Sequence, residues 1–315
     1  MDSETRLWPE SLHDTDDWHT LAAARPALDS LPEGWLEQWQ SVWLPLSTWL
    51  AAYNRSQNEP PVIGIHGGQG SGKSTLSNAL AALYARAFGW QVVVVSIDDL
   101  YLSRADRQQL AVDVHPLLVT RGVPGTHDAA LGMNMFNALK SLGKGDVLRF
   151  PAFDKVSDDR LPEAAWHEVT GPIDMILFEG WCVGCQPADE ASLTEPVNTL
   201  EANEDADGRW RHWVNDKLSG EYADWFAMLD KLIMLKVPDM SAVQRWRTQQ
   251  EADNRRNTQG TADRSLDDAA IVRFIQHYER LTRNALKTLP TVADLVLDIN
   301  QAHQVSAVRL SGSDE

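Results

Sequence analysis

Short apolar runs alternate with longer amphipathic stretches from Pro61 onward, and this alternation sets the expected fold. Helical periodicity covers 73–88, 128–142, 210–218 and 242–256. Strands that alternate with helices predict right-handed crossovers and an α/β fold, with a mostly parallel sheet flanked by helices. The apolar runs typical of strands buried on both faces are 62–66 (VIGIH), 92–97 (VVVVSI), 174–178 (DMILF), 231–237 (KLIMLKV) and 293–299 (ADLVLDI).

Residues 1–59 differ from the rest of the chain in their tryptophan content. Trp35, Trp39 and Trp43 recur every four residues, a spacing that places them on one face of a helix. We expect this face to pack on the core rather than to stack on a ligand, because aromatic stripes at helical spacing usually face a core. The pattern divides the chain into an N-terminal helical segment, 1–59, and a larger domain, 60–315.

Two further stretches have a structural interpretation. Residues 195–209 are acidic and polar, and we expect them to form an excursion on the surface. Cys182 and Cys185 form a CxxC pair, but neither a second cysteine pair nor a nearby histidine pair completes a zinc site. We therefore expect two buried thiols without a metal or redox role.

Composition and charge exclude several classes of protein. The chain has 315 residues, of which 43% are hydrophobic, so we expect a substantial globular core. The net charge of -17 opposes a nucleic-acid surface. No run approaches the ~20 apolar residues that span a bilayer, and the first ten residues are acidic rather than a basic leader. A cytoplasmic protein without membrane partners is expected, and its oligomeric state stays open.

A glycine-rich stretch between the first predicted strand and helix reads GGQGSGKS and matches the phosphate-binding pattern GxxxxGK[ST]. Glycines let backbone N–H groups approach phosphate oxygens, and the helix adds the positive end of its dipole. Lys73 is expected to bridge the β- and γ-phosphates of ATP, and the Ser74 hydroxyl to bind Mg²⁺. The predicted nucleotide-binding residues are Gly67, Gly68, Gln69, Gly70, Ser71, Gly72, Lys73, Ser74 and Thr75.

Acidic residues follow two of the predicted strands. Glu179 comes after DMILF, where the second acidic group of a P-loop site reaches Mg²⁺ directly or through water. Asp98 and Asp99 follow the second strand at the same edge of the sheet. A kinase that acts on a hydroxyl needs a carboxylate to orient this group and accept its proton. Spacing alone does not choose between the two aspartates.

Several sequence blocks resemble the D-glycerate 3-kinase family, within the larger group of phosphoribulokinase, uridine kinase and pantothenate kinase. The blocks are GGQGSGKST, SIDDLYL, RGVPGTHD, PAFDK followed by DDR, ILFEGW and QRWRTQQE, and together they span about residues 60–300. The resemblance implies a P-loop three-layer kinase domain with a lid around 238–262, and it makes Asp98 the base. Asp99 takes a supporting or metal-linked role and is counted among the substrate-binding residues. The other implied residues are Tyr101, Arg121, His127, Asp128, Lys155 and Arg160 at the acceptor, and Arg245 and Arg247 of the lid at the phosphates.

The reaction that this resemblance implies is transfer of the γ-phosphoryl group of ATP, with Mg²⁺, to a hydroxyl of glycerate, which gives 3-phosphoglycerate. An anionic acceptor needs cations around it, and Arg121, Lys155 and Arg160 could supply them. Pantothenate and a pyrimidine nucleoside remain alternative acceptors. A P-loop ATPase that switches conformation or delivers a partner is a different class. A GTPase switch would carry an NKxD-type motif after a later strand, which the sequence lacks.

Overall fold

The computed structural model describes residues 8–257 and 268–311. The strands are β1 (Val62–Gly67), β2 (Val92–Ser96), β3 (Val147–Phe150), β4 (Phe153–Asp154), β5 (Asp159–Arg160), β6 (His167–Thr170), β7 (Met175–Gly180), β8 (Lys231–Lys236), β9 (Leu295–Ile299) and β10 (Val305–Leu310). The helices are α1 (Asp16–Ala24), α2 (Glu33–Glu37), α3 (Leu44–Arg55), α4 (Lys73–Phe88), α5 (Arg104–Asp113), α6 (Ala129–Lys140), α7 (Thr199–Glu204), α8 (Arg209–Ser219), α9 (Glu221–Phe226), α10 (Met240–Asn257) and α11 (Asp268–Thr288). None of these described helices has the length and apolar character needed to cross a membrane.

Six strands form the central sheet in the order β10-β9-β8-β1-β7-β2. Neighbouring strands are parallel except for β10, which pairs antiparallel with β9. The prediction of a mostly parallel sheet flanked by helices is confirmed, and all five predicted strands occur. Strand β10 was not predicted, because its buried residues, Val305 and Val308, are separated by exposed or half-buried ones. The two antiparallel ribbons, β3 with β6 and β4 with β5, were not predicted either.

Side chains of the central strands enter two different cores. Ile63 and Ile65 of β1 pack with Leu80 of α4 on one face of the sheet. Phe178 of β7 packs with Phe136 of α6 on the other face, with ring centroids 5.0 Å apart. Burial on both faces explains why these strands are continuous apolar runs. Because β1 lies between β7 and β8, the strand order reverses there, which is the position at which open α/β sheets bind ligands, at the carboxyl ends of the strands.

The N-terminal segment packs on the same face of the sheet as α4. Trp39 and Trp43 are buried in the core that contains α4, and Trp35 stacks on Trp43 with ring centroids 3.8 Å apart. The three tryptophans do not belong to one regular α-helix, because α2 ends before Trp39 and the chain then forms a π-helical turn. Residues 1–7 of the first predicted unit, and 258–267 and 312–315 of the second, lie outside the described residues.

The acidic stretch 195–209 is only partly exposed, so the expectation of a surface excursion is wrong for two of its carboxylates. Glu201 and Asp205 are fully buried. Glu201 accepts a hydrogen bond from Arg280 at 2.6 Å, and Asp205 accepts one from Arg211 at 3.0 Å. A buried carboxylate is tolerated when it is paired and hydrogen-bonded. Composition alone does not reveal such partners.

Candidate active site

The loop between β1 and α4 forms the phosphate-binding half of the site. Gly70 and Gly72 have positive φ values of 77° and 91°, which residues with a Cβ rarely adopt. A Cβ on Gly70 would also lie 2.8 Å from the Cβ of Trp246 in α10. Because α4 begins at Lys73, its N-terminal N–H groups and dipole face this loop. The other predicted nucleotide-binding residues, at the end of β1, in the loop and in the first turn of α4, are Gly67, Gly68, Gln69, Ser71 and Thr75.

Lys73 lies between the loop and the acidic side chains of the site. Its Nζ donates a hydrogen bond to the Gly68 carbonyl at 3.2 Å. Burial lowers the pKa of Lys73, while the negative charges of Glu179 and Asp98 oppose that shift. Both predicted acidic groups therefore lie close enough to act on one ammonium group. The charges of Asp98, which follows β2, and of Glu179, near the end of β7, thus act on the same lysine.

Ser74 and Glu179 meet at the beginning of α4. Glu179 is buried, and its Oε1 accepts a hydrogen bond from Ser74 Oγ at 2.7 Å. The sheet register aligns Glu179 with Ile65 of β1 and with Ser96 of β2, at the carboxyl ends of the strands. A hydroxyl oxygen and a carboxylate oxygen next to a phosphate loop are hard ligands of the kind that Mg²⁺ takes. The residues present therefore fit this metal.

Asp98 follows β2 and is held by two hydrogen bonds. Its Oδ1 accepts from the Tyr101 hydroxyl at 2.8 Å, and its Oδ2 accepts from Lys155 Nζ at 2.6 Å. Burial acts to raise the pKa of Asp98, but the charge of Lys155 and the two hydrogen bonds outweigh burial and lower it. The carboxylate is thus ionised at neutral pH and is in contact with a cation.

Asp99 has different partners and joins the two small ribbons to the end of β2. Its Oδ1 accepts from the N–H of Phe153, in β4, at 3.2 Å. Its Oδ2 lies 3.3 Å from Nε2 of His167, in β6. Hydrogen bonding to Asp99 raises the pKa of His167, although burial acts in the opposite direction. The structure therefore separates the two adjacent aspartates into one that pairs with Lys155 and one that anchors the ribbons.

Tyr101, His127, Asp128 and Arg160 form a connected group beside the end of β2. Tyr101 and His127 make an isolated antiparallel bridge, and their rings stack with centroids 4.5 Å apart. Asp128 caps the N-terminus of α6 with one carboxylate oxygen, and its other oxygen lies 3.5 Å from Arg160 Nη2. Arg160 also donates to the Tyr101 carbonyl at 2.9 Å. Four of the predicted acceptor residues are thus brought together.

Each of the three predicted acceptor cations is paired with an aspartate. The pairs are Arg121 with Asp158, Lys155 with Asp98, and Arg160 with Asp128. Charge-assisted hydrogen bonds to carboxylates are the strong ones in proteins, and arginine can form two of them to one carboxylate. A bound anion with its own carboxylate would compete with these aspartates for the same donors.

Arg107 and Asp158 belong to this side of the site, and the sequence analysis did not single them out. Arg107 is fully buried, and its guanidinium group donates to the carbonyls of Leu102, Val119 and Asp158 at 3.3, 2.8 and 2.6 Å. Its Nη2 also lies 3.1 Å from Asp158 Oδ1, the oxygen that pairs with Arg121. The polar helix sequence RADRQQL does not distinguish this arginine from its exposed neighbours, so only the tertiary contacts reveal it.

The two predicted lid arginines contact different parts of the molecule. Arg245 and Arg247 are two positions apart in α10, so their side chains leave the helix about 160° apart. Arg245 hydrogen-bonds to Gln301 in the turn between β9 and β10. The Arg247 guanidinium group lies 5.4 Å from the ring centroid of Phe274 in α11. The last residues of the predicted lid, 258–262, lie outside the described residues.

Cys182 and Cys185 follow β7 directly and are free, buried thiols. Burial raises the pKa of both groups, so each favours the neutral thiol. Thiolates, rather than thiols, bind metals and attack disulfides. The environment of this CxxC pair therefore resembles that of ordinary core cysteines.

The parallel sheet, the GGQGSGKS loop at its edge and the carboxylates around Lys73 define a P-loop kinase. No family model matches the chain. It is 31% identical over 267 residues to the uncharacterized kinase mug58 of Schizosaccharomyces pombe, an alignment that covers 78% of this chain and 91% of that protein. It is 32% identical over 256 residues to the chloroplastic D-glycerate 3-kinase of Arabidopsis thaliana, which covers 77% of this chain but 53% of the plant protein.

A solved structure of a D-glycerate 3-kinase is also similar to this chain. The D-glycerate 3-kinase from Cryptococcus neoformans superposes with a TM-score of 0.68 at 26% identity, covering 83% of this chain and 94% of that one. The chain therefore belongs to the D-glycerate 3-kinase family.

Proposed function

We propose that this protein transfers the γ-phosphoryl group of ATP to a hydroxyl of glycerate and so produces 3-phosphoglycerate. The observation that carries the proposal is the hydrogen bond of 2.7 Å between Ser74 Oγ and Glu179 Oε1, directly beside the loop lysine Lys73. The charges of Glu179, on the metal side, and Asp98, on the acceptor side, both oppose the lowering of the Lys73 pKa by burial. A phosphate group held by the loop would face both carboxylates. The similarity to the chloroplastic D-glycerate 3-kinase supports glycerate as the acceptor.

The loop and the first turn of α4 would hold the phosphates of ATP. Backbone N–H groups and the helix dipole favour negative charge there. Lys73 supplies a cation where charge develops as the γ-phosphoryl group leaves ADP. Ser74 and Glu179 would hold Mg²⁺, which neutralises phosphate charge when it is bound.

Asp98 would orient the attacking hydroxyl and accept its proton. The hydroxyl oxygen forms a bond to the γ-phosphorus, the bond from this phosphorus to the bridging oxygen of ADP breaks, and the proton passes to the Asp98 carboxylate. The lowered pKa keeps this carboxylate in the ionised form that a proton acceptor needs. Lys155 contacts Asp98 in the structure, so a bound acceptor would share or replace that contact.

Glycerate suits the acceptor side because it carries a carboxylate together with two hydroxyls. Arg121, Lys155 and Arg160 already contact carboxylates in the structure. Hydrogen bonds to charged groups contribute about 1.5 to 3 kcal/mol each, which is enough to favour an anionic acceptor over a neutral one of the same size. We assign Arg121 to the acceptor carboxylate. We assign Arg245 and Arg247 to the phosphates, which requires each to leave its present contact with Gln301 or Phe274.

The chemistry of the chain also supports a small-molecule partner and a cytoplasmic location. The net charge of -17 opposes binding to the phosphate backbone of a nucleic acid. The two cysteines are free and buried, as is usual in a reducing compartment.

An acceptor screen tests this function. Purified protein with ATP and Mg²⁺ is mixed with D-glycerate, L-glycerate, pantothenate, uridine or ribulose 5-phosphate, and ATP consumption is followed while ³¹P NMR identifies the product. We expect D-glycerate to exceed the other acceptors by at least about tenfold and to give 3-phosphoglycerate. Lys73→Ala is the control, and it should lower the rate by about a thousandfold or more. ATP consumption that needs no acceptor would instead indicate a switch ATPase.

A further inference from the structure

His127 has one ring nitrogen without a hydrogen-bond partner among the described residues. The residue is 2% exposed, and its Nε2 is buried and unpaired. Its Nδ1 lies 2.6 Å from the hydroxyl oxygen of Tyr222 in α9. Its ring stacks on Tyr101, whose hydroxyl donates to Asp98. The unpaired atom therefore belongs to a ring that stacks on Tyr101, the hydrogen-bond partner of the proposed proton acceptor Asp98.

The surroundings of Tyr222 decide which nitrogen of His127 carries the proton. Burial raises the pKa of the Tyr222 phenol well above its usual range, so the phenol keeps its proton. The Tyr222 oxygen accepts a hydrogen bond from the N–H of Gly125 at 3.0 Å. The remaining Tyr222 O–H is directed to Nδ1 of His127, the acceptor that the described residues offer it.

The protonation state of His127 then determines which of its two ring nitrogens carries a proton. Burial lowers the pKa of His127 to about 3, against the opposing charge of Asp98. The ring is therefore neutral near neutral pH and carries a single proton. Because Nδ1 accepts from Tyr222, this proton lies on Nε2, which makes the unpaired atom a hydrogen-bond donor.

We propose that Tyr222 is a positioning residue that holds His127 in the Nε2–H form, and that Nε2–H donates to the acceptor oxygen next to the attacking hydroxyl. This inference rests on the proposed kinase function. Asp98 accepts from the attacking hydroxyl, while His127, one ring stack away, donates to the neighbouring oxygen. Together they select a vicinal oxygen, as found in glycerate, because an acceptor that lacks it leaves a buried donor unpaired.

The first test measures the tautomer directly and needs no turnover. Long-range ¹H–¹⁵N spectra of ¹⁵N-histidine-labelled protein distinguish Nε2–H, Nδ1–H and doubly protonated rings, and loss of one signal set in His127→Asn assigns the residue. We expect His127 to be neutral with its proton on Nε2 at about pH 7, and Tyr222→Phe to give a mixture of tautomers. A wild-type ring with its proton on Nδ1, or a charged ring, would overturn the proposal.

The second test compares variants by their kinetics with D-glycerate. His127→Asn should raise the KM for D-glycerate by about tenfold, the loss expected for one hydrogen bond. Tyr222→Phe should raise it by the smaller factor by which the Nε2–H population falls. In both variants kcat and the KM for ATP should stay within about twofold. His127→Gln places an amide N–H near the position of Nε2 and should restore most of the affinity that His127→Asn loses.

A substrate analogue and a matched variant make the result specific. The KM for 3-hydroxypropionate, which lacks the 2-hydroxyl, should change by less than about twofold in Tyr222→Phe. Tyr84→Phe is the control, because the buried Tyr84 hydroxyl donates to the Ser47 carbonyl at 2.9 Å in the other core. It should leave all three KM values unchanged.

Several outcomes contradict the proposal. They are an equal rise in KM for both acceptors in Tyr222→Phe, an equal change in the KM for ATP, and His127→Gln as impaired as His127→Asn. If Tyr222→Phe does not fold, the wild-type spectra and the two His127 variants still decide the question. If no acceptor is phosphorylated, the proposed function fails, whereas the spectra still establish whether Tyr222 holds the tautomer.

Discussion

Lys155 Nζ lies 2.6 Å from Asp98 Oδ2, so the carboxylate assigned as the proton acceptor forms an ion pair with a side chain from the turn between β4 and β5. The Lys155 side chain is 60% exposed, whereas the Asp98 side chain is 29% exposed. An ion pair with one exposed member contributes little to stability and separates readily. The contact therefore holds Asp98 in its ionised form without blocking an acceptor from reaching it.

Removal of this cation should change the pH dependence of the reaction. In Lys155→Met the charge and hydrogen bond that oppose the effect of burial are lost, so the pKa of Asp98 rises. We expect the acid limb of the kcat/KM profile for glycerate to move to higher pH. Arg149→Met, which breaks an exposed pair with Glu168 in the β3 and β6 ribbon, is the matched control. An acid limb that stays in place or moves to lower pH would contradict the assignment.

The adjacent aspartates should differ sharply when each is replaced by asparagine. Asp98→Asn removes the proton acceptor and should lower the single-turnover rate by about 10² to 10⁴-fold, with ATP binding retained. Asp99→Asn weakens the contacts to Phe153 and His167, so it should lower the melting temperature and reduce the rate by less than about tenfold. Rapid-quench kinetics and calorimetry measure both effects. A larger loss of rate in Asp99→Asn would show that the roles are exchanged.

The contact between Asp99 and His167 should make stability depend on pH. Hydrogen bonding to Asp99 raises the pKa of His167 above its ordinary value of 6.5. A raised folded-state pKa contributes stability that is fully present below the unfolded-state pKa and is lost as the pH rises through the folded-state value. We therefore expect His167→Gln to lower the melting temperature more at about pH 5.5 than at about pH 8.5.

The control for this prediction is the same substitution in a protein that already carries Asp99→Asn. There the partner carboxylate is absent, so His167→Gln should have nearly the same effect at both pH values. If His167→Gln in the otherwise wild-type protein lowered the melting temperature more at the alkaline pH, the sign would be wrong and the pairing would be refuted.

Arg121 and Arg247 should affect different kinetic constants. Arg121→Gln should raise the KM for glycerate on the order of 30-fold or more, with little change for ATP, because one charge-assisted contact to the acceptor carboxylate is lost. Arg247→Gln should lower kcat, because lid arginines contact charge that develops as the phosphoryl group leaves ADP. Arg149→Gln is the exposed control arginine. If Arg121→Gln weakened ATP binding and left the KM for glycerate unchanged, Arg121 would belong to the nucleotide side of the site rather than to the acceptor side.

The sequence by itself was sufficient where the relevant residues are close together along the chain. The phosphate loop is a single stretch, and the φ values at Gly70 and Gly72 explain why glycine occurs at those positions. The five parallel strands are buried on both faces, so each appears as a continuous apolar run. The order of the blocks then indicated the kinase family that the comparison with known proteins supports.

Only the tertiary structure decided which partner each member of a set of similar residues contacts. Asp98 and Asp99 are adjacent and chemically identical, and they differ because Lys155, 57 positions away, contacts only the first. The tautomer of His127 depends on Tyr222, 95 positions away.

The burial of charged residues also depends on partners that are distant in the sequence. Glu201 lies in an acidic stretch that suggests a surface loop, yet it is buried against Arg280, 79 positions further along the chain. Local sequence carries periodicity and turn geometry, because these depend on neighbouring residues. The partner that gives a charge its burial, its pKa or its direction comes from a distant segment, and only the folded chain brings the two together.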